Sequence, residues 1–283
     1  MIDGNNEAAI FRKSDGGDIL KLFKNHENSR KIHAMNCCIC NKLLIGSYMY
    51  DVWDNKMCES HFNKDVVHCS SCTAFTKREH ILPDGRVLCK RCFEDAIKSG
   101  DSIEKIKTFV INALRNAGFN DLRIQDISFE IVTAQRLAEI RKAPVDLKIK
   151  GFTSSNLNTI TLYGFSTSKK FRHNIYVLTH LVDTEFAGTL AHEFLHAWLF
   201  QNSVKMSHKL DEGFCNMGSY LIYRSIPGAF AKMQLKFLYE STDPIYGDGF
   251  REMYAHFKRL GWKEMIRKVK RKSIFSGVVG LTA

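Results

Sequence analysis

The sequence predicts an α+β protein, with a small metal-stapled module ahead of a larger domain in which strands come first and helices follow. Three observations predict it. Eight of the nine cysteines lie between Cys37 and Cys92, and the rest of the chain holds only Cys215. Beyond that cluster, β-branched and alternating runs give way to apolar residues spaced three and four apart. A hydrophobic fraction of 45% in 283 residues is enough to build a core.

The chain divides into three parts. Residues 1–33 are polar and charge-mixed, broken by Ser14-Asp15-Gly16-Gly17-Asp18, and read as a loosely ordered leader. Residues 34–98 form the cysteine-rich module, and residues 99–283 form the larger domain. Four prolines and 18 glycines exclude collagen-like and low-complexity classes. No run approaches the roughly 18 apolar residues of a spanning helix, so no membrane partner is expected. The first residues carry neither a basic nor an apolar signal region, which makes the cytoplasm the expected location. An odd cysteine number in a reducing compartment points to metal ligation and not to disulfides.

The cysteines pair as Cys37-x2-Cys40, Cys58-x2-His61, Cys69-x2-Cys72 and Cys89-x2-Cys92. In each pair a tight turn converges two ligands on one metal, and the 17 or 16 intervening residues form a hairpin that returns the chain. Sequential pairing gives a first site of Cys37, Cys40, Cys58 and His61 and a second of Cys69, Cys72, Cys89 and Cys92. Both are closed four-ligand sites, so their two zinc ions are structural. A cross-braced pairing would use the same eight residues but expects other spacings. His33 and His68 stand close enough to serve as alternates, and Cys38 is surplus.

In the larger domain, Asp101 followed by Glu104 opens a helical pattern that runs to Gly118. Strand patterns follow at residues 127–132, 147–152, 159–163 and 174–178, with a helix at 135–142. Helical periodicity then continues at about 186–201, 212–224, 229–239, 250–260 and 262–272.

The helix at 186–201 contains His192-Glu193-Phe-Leu-His196. Residues four apart share a helix face, so both histidines reach one zinc while Glu193 approaches a water bound to it. Chance gives about 0.02 such motifs in a chain of this composition. A catalytic zinc needs a third protein ligand and an open position. Glu212, at the start of the next helical pattern, is the candidate, with Asp211 its neighbour and rival and His208 a further donor. The chemistry implied is peptide-bond hydrolysis with Glu193 as general base. Tyr246, Tyr220, Tyr254 and His256 are candidate oxyanion donors, and Asp248 or Asp183 are candidate partners for the zinc-binding histidines. By analogy with zincin metallopeptidases, residues 174–178 are expected to be the edge strand that pairs with an extended substrate.

These motifs carry two resemblances. The cysteine module resembles a LIM domain, with the Cys58/His61 order inverted and seven residues between its halves. The helical motif with a glutamate on a second helix resembles the gluzincin type of zincin metallopeptidase. Cys58-Glu-Ser-His61, Cys69-Ser-Ser-Cys72, Asp84-Gly-Arg-Val-Leu-Cys89-Lys-Arg-Cys92, Ala191-His-Glu-Phe-Leu-His196-Ala-Trp198, Glu212-Gly-Phe-Cys215 and Tyr246-Gly-Asp-Gly-Phe250 together resemble the DA-one family of LIM-containing peptidases. The resemblance runs from about Cys37 to Lys272. It implies a zinc endopeptidase that cuts regulatory proteins, with His192, His196 and Glu212 as ligands and Glu193 as base, and it marks Tyr246–Phe250 as a signature. Plant members carry ubiquitin-interacting motifs ahead of the LIM, and residues 1–36 show no acidic helical run of that kind.

The expected function is therefore a zinc-dependent peptidase with one catalytic and two structural zinc ions, whose LIM-like module recruits or positions protein or peptide substrates. The competing reading is a non-catalytic adaptor that binds protein partners. The net charge of +11, with Arg267-Lys-Val-Lys-Arg-Lys272 and Lys169-Lys-Phe-Arg172, raises nucleic-acid binding as a third reading. Basic runs at a helix end are more simply solvated faces that complement the helix dipole.

Overall fold

The computed structural model describes residues 36–61, 64–97, 100–162 and 165–271, with backbone alone from 158 to 170. The leader at 1–33, His33 and Lys272 lie outside them.

The cysteine-rich module is three short antiparallel ribbons and a helical turn. β1 (Tyr48–Tyr50) pairs with β2 (Lys56–Cys58), β3 (Val66–His68) with β4 (Phe75–Lys77), and β5 (His80–Ile81) with β6 (Val87–Leu88). Helix α1 (Lys90–Asp95) is N-capped by Cys89, whose sulfur accepts from the Cys92 amide. Two-stranded ribbons this short bury too little surface to hold themselves. The second half of the module solves this by sharing a core with the larger domain: Cys69, Cys72, Leu82, Leu88 and Cys92 pack against Val182, Phe230 and Met233. The first half keeps Leu43, Ile45, Tyr48, Tyr50 and Val52 exposed.

In the larger domain, α2 (Gly100–Ala117) buries Ile106, Val110, Ala113, Leu114 and Ala117, one stripe at helical spacing. β7 (Ile127–Val132), α3 (Ala134–Arg141), β8 (Gly151–Leu162) and β9 (Phe165–Leu178) follow. The sheet order is β7-β9-β8, with β9 parallel to β7 and antiparallel to β8. Four helices complete the domain: α4 (Asp183–Gln201), α5 (His208–Ser225), α6 (Ala229–Glu240) and α7 (Tyr246–Lys270), the last broken at Gly261. Helix α4 is buried on almost every side, between the sheet and α5, as its near-continuous apolar sequence requires. No helix among the described residues is long and apolar enough to cross a membrane.

Three strand expectations need correction. The separate runs expected at 147–152 and 159–163 meet in one strand, β8, and residues 165–173, given no strand by pattern, form the first part of β9. Residues 147–150 are not strand: the Asp146 carboxylate accepts from the Lys148 amide and the Asp146 carbonyl from the Ile149 amide, a local turn that delays β8 to Gly151. The expected edge strand at 174–178 is the C-terminal half of β9, which is central and paired on both sides. Its apolar run Ile175–Leu178, buried throughout apart from Tyr176, is the pattern of a strand covered on both faces. The edge that faces the helices is β8.

Helices α5 and α7 cross where two glycines meet. A Cβ on Gly213 would stand 2.2 Å from the Gly249 carbonyl oxygen, and one on Gly249 would stand 2.1 Å from the Lys209 carbonyl oxygen. No side chain fits there, so the crossing depends on both glycines. Tyr220 and Tyr254, with Tyr239, Phe250 and Phe257, form an aromatic cluster beside this crossing. The basic run at the end of α7 is partly neutralised: Lys270 pairs with Asp121 at 2.7 Å, and Arg267 pairs with Glu264.

Candidate metal centre

Two groups of four donors assemble in the cysteine-rich module: Cys37, Cys40, Cys58 and His61, and Cys69, Cys72, Cys89 and Cys92, each within 4.8 Å of one another. The sulfur separations of 3.8 Å for Cys40–Cys58 and 3.7 Å for Cys72–Cys89 match the edge of about 3.8 Å expected for thiolates about 2.3 Å from one zinc. Backbone amides point at the sulfurs, with Ile39 and Cys58 donating to Cys37 at 3.4 Å and Cys89 to Cys69 at 3.3 Å. Burial works against the Cys37 thiolate, but the amide of Cys58 and its fellows outweigh it and lower the pKa to about 6. His61 Nε2 is buried without a hydrogen-bond partner, which suits a metal-facing nitrogen. His68 is turned away, its Nδ1 on the Thr73 carbonyl at 2.8 Å.

A third group forms between α4 and α5. His192 and His196, one turn apart on α4, bring their Nε2 atoms to 3.1 Å. Glu212 Oε2 lies 3.1 Å from His192 Nε2 and 3.6 Å from His196 Nε2. That triangle matches the edge of about 3.3 Å expected for N and O donors about 2.0–2.1 Å from zinc. Glu212 Oε2 is buried without a hydrogen-bond donor of good geometry, an arrangement that a cation would complete. Cys215 also stands within 4.8 Å of both imidazoles. Its thiol is directed to Asp211 at 3.8 Å, and burial pushes its pKa up, which makes it a weaker donor than the carboxylate.

Helix α5 begins at His208, earlier than its pattern suggests, with Ser207 at its N-cap. Glu212 therefore sits in the second turn, and His208, Asp211, Glu212, Cys215, Asn216 and Ser219 form a polar stripe facing α4. Asp211, the expected rival ligand, lies 2.9 Å from His196 Nδ1. Asn216 accepts from His192 Nδ1 at 3.0 Å and donates to the Tyr246 carbonyl at 3.1 Å. Both contacts leave the Nε2 atoms to face Glu212, the tautomer a metal needs. Asp183 and Asp248 do not serve here: Asp183 accepts from the Thr184 amide at 2.6 Å, and Asp248 pairs with Arg251. Asn216 was not among the expected partners, although its position four residues after Glu212 places it on the same face.

Glu193 points toward the opposite wall, where Thr153 of β8 donates to its Oε2 at 2.7 Å. Gly151 lies so close that a Cβ there would stand 2.4 Å from Glu193 Oε1. Around these groups opens a cleft of about 1470 Å³, lined among others by Gly151, Thr153, Ser155, Glu193, Glu212 and Tyr246. Of the four expected oxyanion donors only Tyr246 lines it. Burial, with the Glu212 charge, pushes the Tyr246 phenol up to about 12, so it remains a donor. His208 Nε2 lies 3.4 Å from Glu212 Oε1.

The electrostatics set a pH dependence. Burial opposes charge on His196, but the Cys215 sulfur beside it, with hydrogen bonds to Asp211 and Glu212, holds its pKa well above the ordinary imidazole value. Burial would raise Glu212, but His192 and His196 hold it well below the carboxylate range. Metal binding needs neutral imidazoles and an ionised carboxylate, so protons compete at His196 and not at Glu212. Metal is expected to leave this centre as pH falls from about 8 towards 5. Zinc content after dialysis at fixed pH checks this, with His192→Ala as the baseline for the cysteine clusters; equal retention across that range would contradict it.

No model of a known protein family matches the chain, and no solved structure does. Curated relatives do. The chain is 23% identical to the LIM domain-containing protein HDR3 of Oryza sativa subsp. japonica, over 85% of this chain and 62% of that protein. It is 21% identical to Protein DA1 of Arabidopsis thaliana, over 85% of this chain and 57% of that protein. With Protein DA1-related 2 of Arabidopsis thaliana it shares 26% identity, over 63% of this chain and 38% of that protein. The chain thus spans about three-fifths of the first two relatives. This likeness over most of its length, together with two clusters of thiolate donors near its start, makes the chain similar to the proteins of the DA1 family.

Proposed function

We propose that this protein is a zinc-dependent peptidase of the zincin type, in which His192, His196 and Glu212 hold a catalytic zinc and the two cysteine clusters hold structural zinc. One observation carries the reading: three donors with the spacing of a single metal's ligands face an open cleft beside the carboxylate of Glu193. When bound, zinc supplies a Lewis acid that polarises a peptide carbonyl and lowers the pKa of water. Glu193, its Oε2 held by Thr153, takes the proton and later delivers it to the leaving amine. Tyr246 donates to the developing oxyanion. Asp211 and Asn216 fix the imidazoles, and the free edge of β8 at Gly151–Ser155 pairs with an extended substrate. The module containing the cysteine clusters is LIM-like and recruits or positions protein substrates, for which the exposed row Leu43, Ile45, Tyr48, Tyr50 and Val52 is suited.

The test is metal content together with a broad peptide library. Three zinc ions per chain are expected, with cleavage that a chelator abolishes and added zinc restores. Two zinc ions would remove the catalytic assignment. Three zinc ions with no cleavage in the library would favour the adaptor reading.

A further inference from the structure

The cysteine-rich module touches the larger domain at several points, and one of them reaches the cleft. Arg86 donates to the Thr179 carbonyl at 2.8 Å, the Ile97 amide to the Leu181 carbonyl at 2.9 Å, and Ala96 bridges Val182. These contacts fasten the module to the segment between β9 and α4. Ser71 does something different. It stands inside the second knuckle, between Cys69 and Cys72, and its hydroxyl donates at 2.9 Å to Glu185 Oε2 in the first turn of α4. Glu185 is 1% exposed, and its other oxygen holds the ammonium of Lys150.

A buried carboxylate oxygen left without a partner is costly, so Glu185 depends on Ser71 and Lys150 together. Those partners come from different parts of the molecule. Ser71 belongs to the second cysteine cluster, and Lys150 immediately precedes Gly151, the residue that abuts the Glu193 carboxylate. The Lys150 carbonyl accepts from the Leu178 amide at 2.8 Å, which extends the β8–β9 ladder to this point. The start of the β8 edge is thus held at two places along α4: by Glu185 through Lys150, and by Glu193 through Thr153.

We propose that Ser71, Glu185 and Lys150 are positioning residues, a bridge by which the second cysteine knuckle sets the start of β8 against Glu193. The effect on turnover rests on the reading of Glu193 as the general base, while the mechanical link does not. Ser70 supplies the control. It occupies the same knuckle, but its hydroxyl accepts from the Val87 amide at 3.1 Å and stays within the module.

Hydrogen exchange on the intact zinc-loaded protein decides the question. In Ser71→Ala, peptides covering residues 150–157 are expected to exchange about 5-fold faster or more, with zinc content unchanged. Ser70→Ala is expected to leave that segment as in the wild type, and Ser71→Thr, which keeps a hydroxyl, to restore it. Lys150→Met is expected to reproduce the acceleration without adding to it in the double variant. Unchanged exchange at 150–157 in Ser71→Ala, or equal acceleration in Ser70→Ala, overturns the bridge. On a peptide that the wild type cleaves, Ser71→Ala is expected to lower kcat several-fold with little change in KM; should the wild type cleave nothing, the exchange result still stands or falls alone.

Discussion

Glu193→Gln is expected to reduce peptide hydrolysis by about 10²–10⁴-fold, while the protein stays folded and keeps its full zinc content. The substitution suits the site. A glutamine carbonyl still accepts from Thr153, which now donates to Glu193 Oε2 at 2.7 Å, and the side chain keeps its length beside Gly151. What is lost is the basic oxygen that takes a proton. His192→Ala gives a useful contrast, since it removes a ligand and is expected to lose one zinc as well as activity. Full activity in Glu193→Gln, on a substrate that the wild type cleaves and with unchanged zinc, would end the assignment of Glu193 as base.

The second large effect is on stability. Gly249→Ala is expected to cost about 3 kcal/mol or more, because the added methyl would lie 2.1 Å from the Lys209 carbonyl oxygen and backbone cannot move aside as a flexible side chain can. For a chain of this size that corresponds to a fall in melting temperature of roughly 6–12 °C. Activity is expected to fall further than stability explains. The helix pushed away is α7, whose Tyr246 carbonyl holds Asn216, which in turn holds His192. Gly213→Ala, facing the Gly249 carbonyl oxygen at 2.2 Å, is expected to behave alike, and Gly100→Ala, with open space around it, to cost little. Thermal melts of the three variants at equal zinc occupancy separate these cases, and a Gly249→Ala protein that melts with the wild type would refute the crossing argument.

The crossing also explains the Tyr246–Phe250 segment, which resemblance marked and periodicity did not. Gly249 permits the close approach to α5, Phe250 is fully buried, and Tyr246 lines the cleft. These three roles concern groups outside the segment, so no pattern within it could reveal them.

The elements legible in the sequence are those whose geometry is local. A C-x2-C turn converges two sulfurs whatever surrounds it, and a helix places His192 and His196 on one face by its 3.6-residue period. From Ile127 onward the order of strands and helices follows periodicity but their bounds do not: β8 is one strand from Gly151 to Leu162 where two are expected, β9 starts at Phe165 and α5 at His208, and at residues 147–150 the Asp146 turn overrides an apolar run. That Glu212 lies beside those histidines is also legible, through its place on the next helical pattern.

The rest depends on which surfaces meet. That β8, and not β9, is the open edge follows from β7 joining β9 on its other side, a pairing between residues some 46 positions apart. The imidazole partners are Asp211 and Asn216 because α5 begins at His208 and turns its polar stripe to α4; Asp183 and Asp248 satisfy other groups on their own helices. The link from Ser71 through Glu185 to Lys150 joins positions 71, 185 and 150, and no spacing rule spans them. By itself the sequence determined the donors that a single turn or helix brings together; the tertiary structure decided their orientation and the open edge of the cleft, because burial forces each polar group to find its partner across an interface.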